Sequence, residues 1–388
     1  MGSLAYFGRP QRNAWMADAQ RITTTSFSAR MISPMNPAAA IAKNLLLVAA
    51  LVAGTHTSAQ ILGCGFDEGH RERMLVDQAY SQRVNDFNAL AQQAAPVFER
   101  DINTYKVPVV VHVMDIGTGA TAITDDQIRA GIKLTNEYWR KVAGSPGAGT
   151  GADMNIEFVL AVRDPQGNCT TGITRTDMTW NASYVANGVA HDGALGMPDA
   201  DLKAYKNWDP SQYYNIWLVS EIDNGGPVAG YAFFAGSHGS AIDGTVMLTA
   251  YMQSSSVLAH ELGHAFNLYH TFEGDVNGTT CPPNGTCSTD GDQVCDIPPH
   301  IRPSSCNPAG TNSCDGGSSQ SLHIFNYMNY SSCAVNMFTT GQRTRAQLAM
   351  TSQRGSYLAA NGNLSLVPPS APQLDFRASA AVLCGTGQ

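Results

Sequence analysis

The stretch His260-Glu261-Leu262-Gly263-His264-Ala265-Phe266-Asn267-Leu268-Tyr269-His270 carries three imidazoles and one carboxylate at spacings that suit a single metal ion. On an α-helix, His260 and His264 lie four residues apart on one face, so both rings can reach the same ion, with Glu261 projecting beside them. His270 comes six residues after His264. In a continuous helix it would sit about 9 Å further along the axis and face away, so the helix must stop between them. Asn267 stands where the break is needed, because Asn, after Gly, best tolerates the left-handed conformation that ends a helix. Ser254, Ser255 and Ser256 are candidates to cap its start. Zinc with three protein ligands keeps a fourth position for water, lowers that water's pKa towards about 7 and polarises a carbonyl. Glu261 could then take the water's proton. The competing reading is a helix with two satisfied histidines, but the pentad arises by chance in only roughly one chain in two hundred of this composition.

Outward from this run, hydrophobic patterning predicts strands at residues 106–113, 155–162, 214–222 and 245–251, with 230–234 as an edge strand. An edge above a metal cleft can bind peptide by β-augmentation, which reads backbone rather than side chains. Thr124-Asp125-Asp126-Gln127 has capping-box form, and Ile128, Ile132, Thr135 and Trp139 recur at helical spacing, predicting a helix to about Val142 that backs the sheet. A Gly-rich loop, 144–151, follows, and residues 342–358 form a second helical pattern capped by Thr339 or Thr340. Residues 66–100 are polar and helix-compatible.

The run and its surroundings resemble the metzincin zinc metallopeptidases of the pappalysin group, the cytophagalysin and ulilysin relatives. The likeness is carried by Lys106-Val107-Pro108-Val109-Val110-Val111-His112-Val113, Asn155-Ile156-Glu157-Phe158-Val159-Leu160-Ala161, Asp164-Pro165 with Gly172-Ile173-Thr174-Arg175, and Tyr269-His270-Thr271-Phe272. It continues through Gly291-Asp292-Gln293-Val294, Asn326-Tyr327-Met328-Asn329-Tyr330 and Phe338-Thr339-Thr340-Gly341-Gln342, so it covers roughly residues 64 to 350. It implies an α+β zincin fold: a twisted mixed β-sheet, a backing helix, an active-site helix and a loop-rich, disulfide-stapled C-terminal subdomain. It also implies that Met328 occupies the tight turn beneath the zinc and that the Tyr330 phenol stabilises an oxyanion, a donor aimed at charge that appears only in the transition state. Cys64-Gly65 resembles the start of pappalysin-group propeptides, where the thiolate would take the open zinc position and keep a zymogen silent. Two other readings of Cys64 stand beside it, pairing with another cysteine and lipidation at Ile61-Leu62-Gly63-Cys64. Relatives often carry calcium after the zinc run, which makes Asp292 and Asp296 the candidate calcium ligands among the acids there. The chain departs from the family at Asn267, where Gly is usual, and at Asp296-Ile297-Pro298, where Asp-Thr-Pro is usual. Ser331-Ser332-Cys333-Ala334 lacks the carboxylates of members that prefer Arg or Lys after the scissile bond.

The 388 residues, 43% hydrophobic, suffice for one large domain or two ordinary ones. A formal charge of −8 with no basic patch excludes nucleic acid as a partner. Lys43, the apolar run 45–54 and Thr57-Ser58-Ala59 have the parts of a signal peptide cleaved near Ala59-Gln60. The run is too short for stable membrane insertion, which takes about 20 residues. Translation could start at Met1, Met31 or Met35; an organellar leader is the alternative to secretion. Nine cysteines are an odd number, and five fall between Cys281 and Cys314 in a Pro-, Gly-, Asn- and Asp-rich stretch without hydrophobic period. In an oxidising compartment disulfides would staple that loop; a second zinc site there is the competing reading.

The expected organisation is a leader at 1–59, a propeptide at 60–103, a metallopeptidase catalytic domain at 104–358 and a tail at 359–388. The expected function is that of a secreted zinc endopeptidase, latent as made, acting on proteins or peptides. His260, His264 and His270 hold zinc and Glu261 activates water. The rivals are a secreted zinc-binding module without catalysis and a zinc hydrolase acting on something other than peptides.

Overall fold

The run 106–113, nearly continuous in apolar residues, is buried on both faces, as expected of a strand inside a parallel sheet. This is so in the computed structural model, which describes residues 63–93, 104–193 and 195–368. The described residues all fall in one compact unit. In chain order the principal elements are β1 (Gly63–Cys64), α1 (Phe66–Val76), α2 (Gln78–Gln93), β2 (Tyr105–Asp115), α3 (Asp125–Trp139), β3 (Ile156–Leu160) and β4 (Ile173–Asp177). Then come β5 (Tyr214–Val219), β6 (Val228–Ala232), β7 (Thr245–Leu248), α4 (Val257–Ala265) and α5 (Thr340–Ser352). The sheet runs β1-β6-β7-β5-β2-β3, with β4 pairing β2 beyond β3. Strands β2, β3, β4, β5 and β7 are mutually parallel, β6 is antiparallel to β7, and β1 lies parallel to β6. The expected α+β architecture, a mixed sheet with a backing helix, is therefore the observed one.

Helix α3 carries the expected capping box, Thr124 with Gln127, and buries Ile128, Ile132, Thr135 and Trp139. It ends at Trp139, before Val142, because the chain turns at Lys141 with φ of 47°. The Trp139 indole donates to the Ala259 carbonyl at 3.2 Å, tying the backing helix to α4. The strands predicted to reach residues 222 and 251 stop at Val219 and Leu248, the latter running straight into a 3-10 turn, Thr249–Tyr251. The predicted edge strand spans Val228–Ala232, and its outer side is paired by β1.

Helix α5 starts from Thr339, whose side chain forms a capping box with Gln342, and ends at Ser352 rather than continuing to 358. Past it, Arg354 is fully buried and binds Asp243 through both terminal nitrogens, at 2.7 and 2.8 Å. Its Nε donates to the Ala265 carbonyl at 2.8 Å, and Arg345 Nε donates to the Asn267 carbonyl at 2.6 Å. Two arginines from the C-terminal half thus satisfy carbonyls that the end of α4 leaves open, where the helix dipole also favours cations. Losing one partner of such a buried pair costs about 3–5 kcal/mol.

Between α4 and α5, the regular structure among the described residues amounts to one short strand pair, Thr311–Asn312 with Ser318–Ser319, and a 3-10 turn. Where backbone ladders are this sparse, cross-links constrain the chain instead. The disulfides there are Cys281–Cys314, Cys287–Cys295 and Cys306–Cys333. Cys169 is also disulfide-bonded, and Cys64 is the free cysteine; no second zinc site forms from the loop cysteines.

Helices α1 and α2, read as propeptide, share the core: Phe66, Tyr80, Val84 and Phe87 are at most 3% exposed. Residues 359–368, placed by the sequence in a loose tail, fold onto the domain; Leu366 and Val367 are buried and the Leu366 carbonyl accepts from Val162 N–H. The signal region, the expected propeptide boundary at residue 103 and Cys384 lie outside the described residues.

Candidate metal centre and active site

Helix α4 ends where the sequence requires. Asn267 has φ of 65°, and its side chain adds what Gly could not: Oδ1 accepts from Ala235 N–H at 2.8 Å and Nδ2 donates to Gln353 Oε1 at 2.7 Å. At the start, Ser256 is the N-cap residue without a side-chain bond, and Ser255 Oγ accepts from Val257 N–H at 3.3 Å. The turn brings His270 back, and its Nε2 lies 3.2 Å from that of His264 and 3.3 Å from that of His260, while the His260 and His264 atoms are 3.2 Å apart.

Each ring is held from its other side. His260 Nδ1 meets the Tyr327 carbonyl at 2.6 Å, His264 Nδ1 the Leu268 carbonyl at 2.8 Å, and His270 Nδ1 the Asp67 carboxylate at 2.8 Å. A carbonyl or carboxylate oxygen accepts only, so the proton sits on Nδ1 and the three Nε2 lone pairs converge. Burial also disfavours the charged imidazole, pushing His260 down to about 3 and His264 well below its usual range. Three converging lone pairs repel unless a cation sits among them. Ligand distances of about 2.0–2.1 Å in a tetrahedron give an N···N edge of roughly 3.3 Å, which the triangle matches.

Below the site, Met328 packs against α4. A Cβ on Gly263 would lie 2.2 Å from Met328 Sδ, which explains the glycine inside the helix. The turn is braced by Asn326, which accepts from Met328 N–H at 2.9 Å and exchanges amide hydrogen bonds with Gln342, the capping-box partner of Thr339. It returns a bond to the ligand loop through Thr271 N–H and the Met328 carbonyl, at 3.1 Å.

Cys64 enters from the sheet edge. Its register partner is Gly230, and its Sγ lies within 4.8 Å of a ring nitrogen of each of the three histidines. The thiol donates to Glu261 Oε2 at 3.2 Å, while Tyr330 OH accepts from Cys64 N–H at 3.2 Å and donates to the Cys64 carbonyl at 3.3 Å. Burial pushes the Glu261 carboxyl up to about 8 and the Cys64 thiol well above its usual range. A dication at the histidines would oppose both shifts. Phe66 stacks flat on His264 at 3.8 Å between centroids. The structure therefore brings Cys64, His260, Glu261, His264, His270 and Tyr330 together at one end of a cleft that continues past Ser331, Cys333 and Val335.

Asp292 and Asp296 lie outside that cluster. Asp296 spends both oxygens on α5, accepting from Thr339 Oγ1 at 2.8 Å and Gly341 N–H at 2.7 Å. Asp292 accepts from Val294 N–H at 3.1 Å through one oxygen, and its Oδ2 is buried without a partner, as is Gln293 Oε1. Asp67, Arg345 and Arg354 escaped sequence reasoning. Asp67 bonds a ring 203 residues away, and only its place three residues after Cys64 hints at a role.

Residues 196–351 match the family described as pregnancy-associated plasma protein-A. An extracellular metalloprotease of Coccidioides posadasii is 36% identical over 146 residues, which is 34% of this chain and 47% of that protein, so the match spans about half its length. An extracellular metalloprotease of Pyricularia oryzae is 29% identical over 73% of this chain and 86% of its own. Among solved structures, a Tannerella forsythia promirolysin mutant superposes with a TM-score of 0.59 at 24% identity, covering 77% of this chain and 98% of that one. No helix among the described residues is long and apolar enough to cross a membrane.

Proposed function

From the premise that this chain contains a pappalysin-like metalloprotease domain of metzincin fold, we propose that it is a secreted zinc endopeptidase made as a latent precursor. The observation that carries this reading is the triangle of Nε2 atoms, 3.2–3.3 Å on a side, with the Cys64 thiol and Glu261 carboxylate beside it. His260, His264 and His270 would hold the zinc, and Cys64 would fill the remaining position. The extracellular relatives and the disulfide-stapled loop favour an oxidising compartment.

A zinc ion held by His260, His264 and His270 would supply Lewis-acid chemistry there, acidifying water and polarising the scissile carbonyl. Glu261 takes the proton of the attacking water and delivers it to the leaving amine. Tyr330, whose phenol holds the Cys64 backbone in this state, is free after processing to donate to the developing oxyanion. Tyr330→Phe is accordingly expected to lower kcat about 10²–10³-fold with KM little changed. Steady-state kinetics on a fluorogenic peptide checks this, and an unchanged kcat would remove Tyr330 from the mechanism.

The unpartnered oxygens of Asp292 and Gln293 suit a calcium ion, with Asp296 supporting the site through α5 rather than through a free oxygen. Incubating the processed chain with denatured casein separates the readings. Cleavage should stop with a zinc-selective chelator, whereas a calcium-selective one should lower the thermal midpoint. A zinc-loaded processed chain that cuts no protein would favour a binding module or a hydrolase of other substrates, and an unmoved midpoint would exclude the calcium.

A further inference from the structure

The three rings are not oriented by the same part of the chain. Tyr327 and Leu268 hold His260 and His264 through backbone carbonyls of the catalytic domain. His270 is held by Asp67, on α1, inside the segment 60–103 whose removal the proposed maturation requires. Removal would leave a buried N–H without a partner on one ligand. Metal-bound imidazoles nearly always donate that hydrogen to an acceptor, and loss of such a partner typically weakens metal affinity about 10–100-fold.

A replacement stands beside it. Glu273 follows His270 by three residues, and its N–H donates to the His270 carbonyl at 3.0 Å. A carboxylate oxygen of Glu273, one of Asp67 and a ring nitrogen of His270 all lie within 4.8 Å of one another. Arg302, the nearby cation, is committed to Asp275 through two bonds of 2.7 and 2.8 Å, and the Glu273 carboxylate makes no hydrogen bond among the described residues. It borders the cleft between α1 and the ligand loop, where Asp67 also lies.

We propose that Glu273 is a positioning residue that takes over the Nδ1–H of His270 from Asp67 when the segment leaves, so that the metal site passes from one carboxylate to another during maturation. This rests on the reading that the histidines hold zinc and that 60–103 is removed. The handover keeps the third ligand oriented in both forms.

The test is zinc affinity, measured by competition with a chromophoric chelator, on the full chain and on the chain after tryptic cleavage and removal of the segment. Glu261→Ala is present throughout to prevent self-digestion. In the full chain, Glu273→Gln alone should leave affinity within about twofold and Asp67→Ala alone should be nearly silent, because each carboxylate covers for the other. The double variant should bind about 10–100-fold more weakly. In the processed chain Glu273→Gln alone should show that loss, and Glu273→Asp should recover part of it. Equal weakening of both forms by Glu273→Gln, or undiminished affinity in the processed form, would overturn the handover. A His270→Ala chain that keeps its zinc would instead overturn the metal reading, and the handover with it.

Discussion

Glu261→Ala is expected to keep its zinc and lose peptide cleavage by about 10²–10⁴-fold, the usual contribution of a positioned general base. The side chain is 1% exposed, and its hydrogen-bond partner among the described residues is the Cys64 thiol, at 3.2 Å. A buried carboxylate tied to no cationic side chain is costly to maintain for structure alone. It lies one residue after His260 on the same helix, yet outside the ligand triangle, so its removal should not disturb the metal. Truncation should not disturb α4 either, since Glu261 lies inside that helix and Ala is the strongest helix former. Zinc content and cleavage of casein are measured on the same processed sample. Full activity in the variant would sink the mechanism, and lost zinc would make the result one about folding rather than about proton transfer.

Much of this site is legible in the sequence, because its histidines are placed by local rules. A four-residue spacing on a helix, a residue tolerant of positive φ at 267 and a returning histidine are all set within eleven positions. The capping boxes at Thr124 and Thr339 are local in the same way. Helix ends and strand ends were less legible, because tertiary contacts fix them: α5 stops where Arg354 turns inward to Asp243, and residues 359–368 continue because Leu366 has a place against Val162. Disulfide partners and the arginines on the α4 carbonyls depend on contacts spanning 8 to 89 residues, for which a sequence without period offers no signal. The edge strand is the instructive case. Its sequence suggested a strand at the sheet edge, but not that the chain's own Gly63–Cys64 would pair along it.

That occupancy bears on latency. Cys64→Ser in the unprocessed chain is expected to raise its activity by at least about tenfold, a change of about 1.4 kcal/mol or more in the balance between closed and open site. The thiol is the strongest zinc ligand the segment offers, and serine's hydroxyl is a poor one near neutral pH. The substitution should not restore full activity. Phe66 stays stacked on His264, Asp67 on His270, and the backbone of residues 63–65 stays on β6 and Tyr330. Because those contacts hold the segment in place, a thiol-specific readout is needed alongside the rate. With cobalt substituted for zinc, the unprocessed parent should show a thiolate-to-metal charge-transfer band in the near ultraviolet that Cys64→Ser lacks. Processing should abolish the band in the parent. Unchanged latency together with a missing band in the parent would mean that Cys64 silences nothing and that the aromatic and carboxylate contacts of α1 carry the inhibition. A band present in the parent with unchanged latency in Cys64→Ser would mean that the strand and helix contacts suffice once the thiolate is gone.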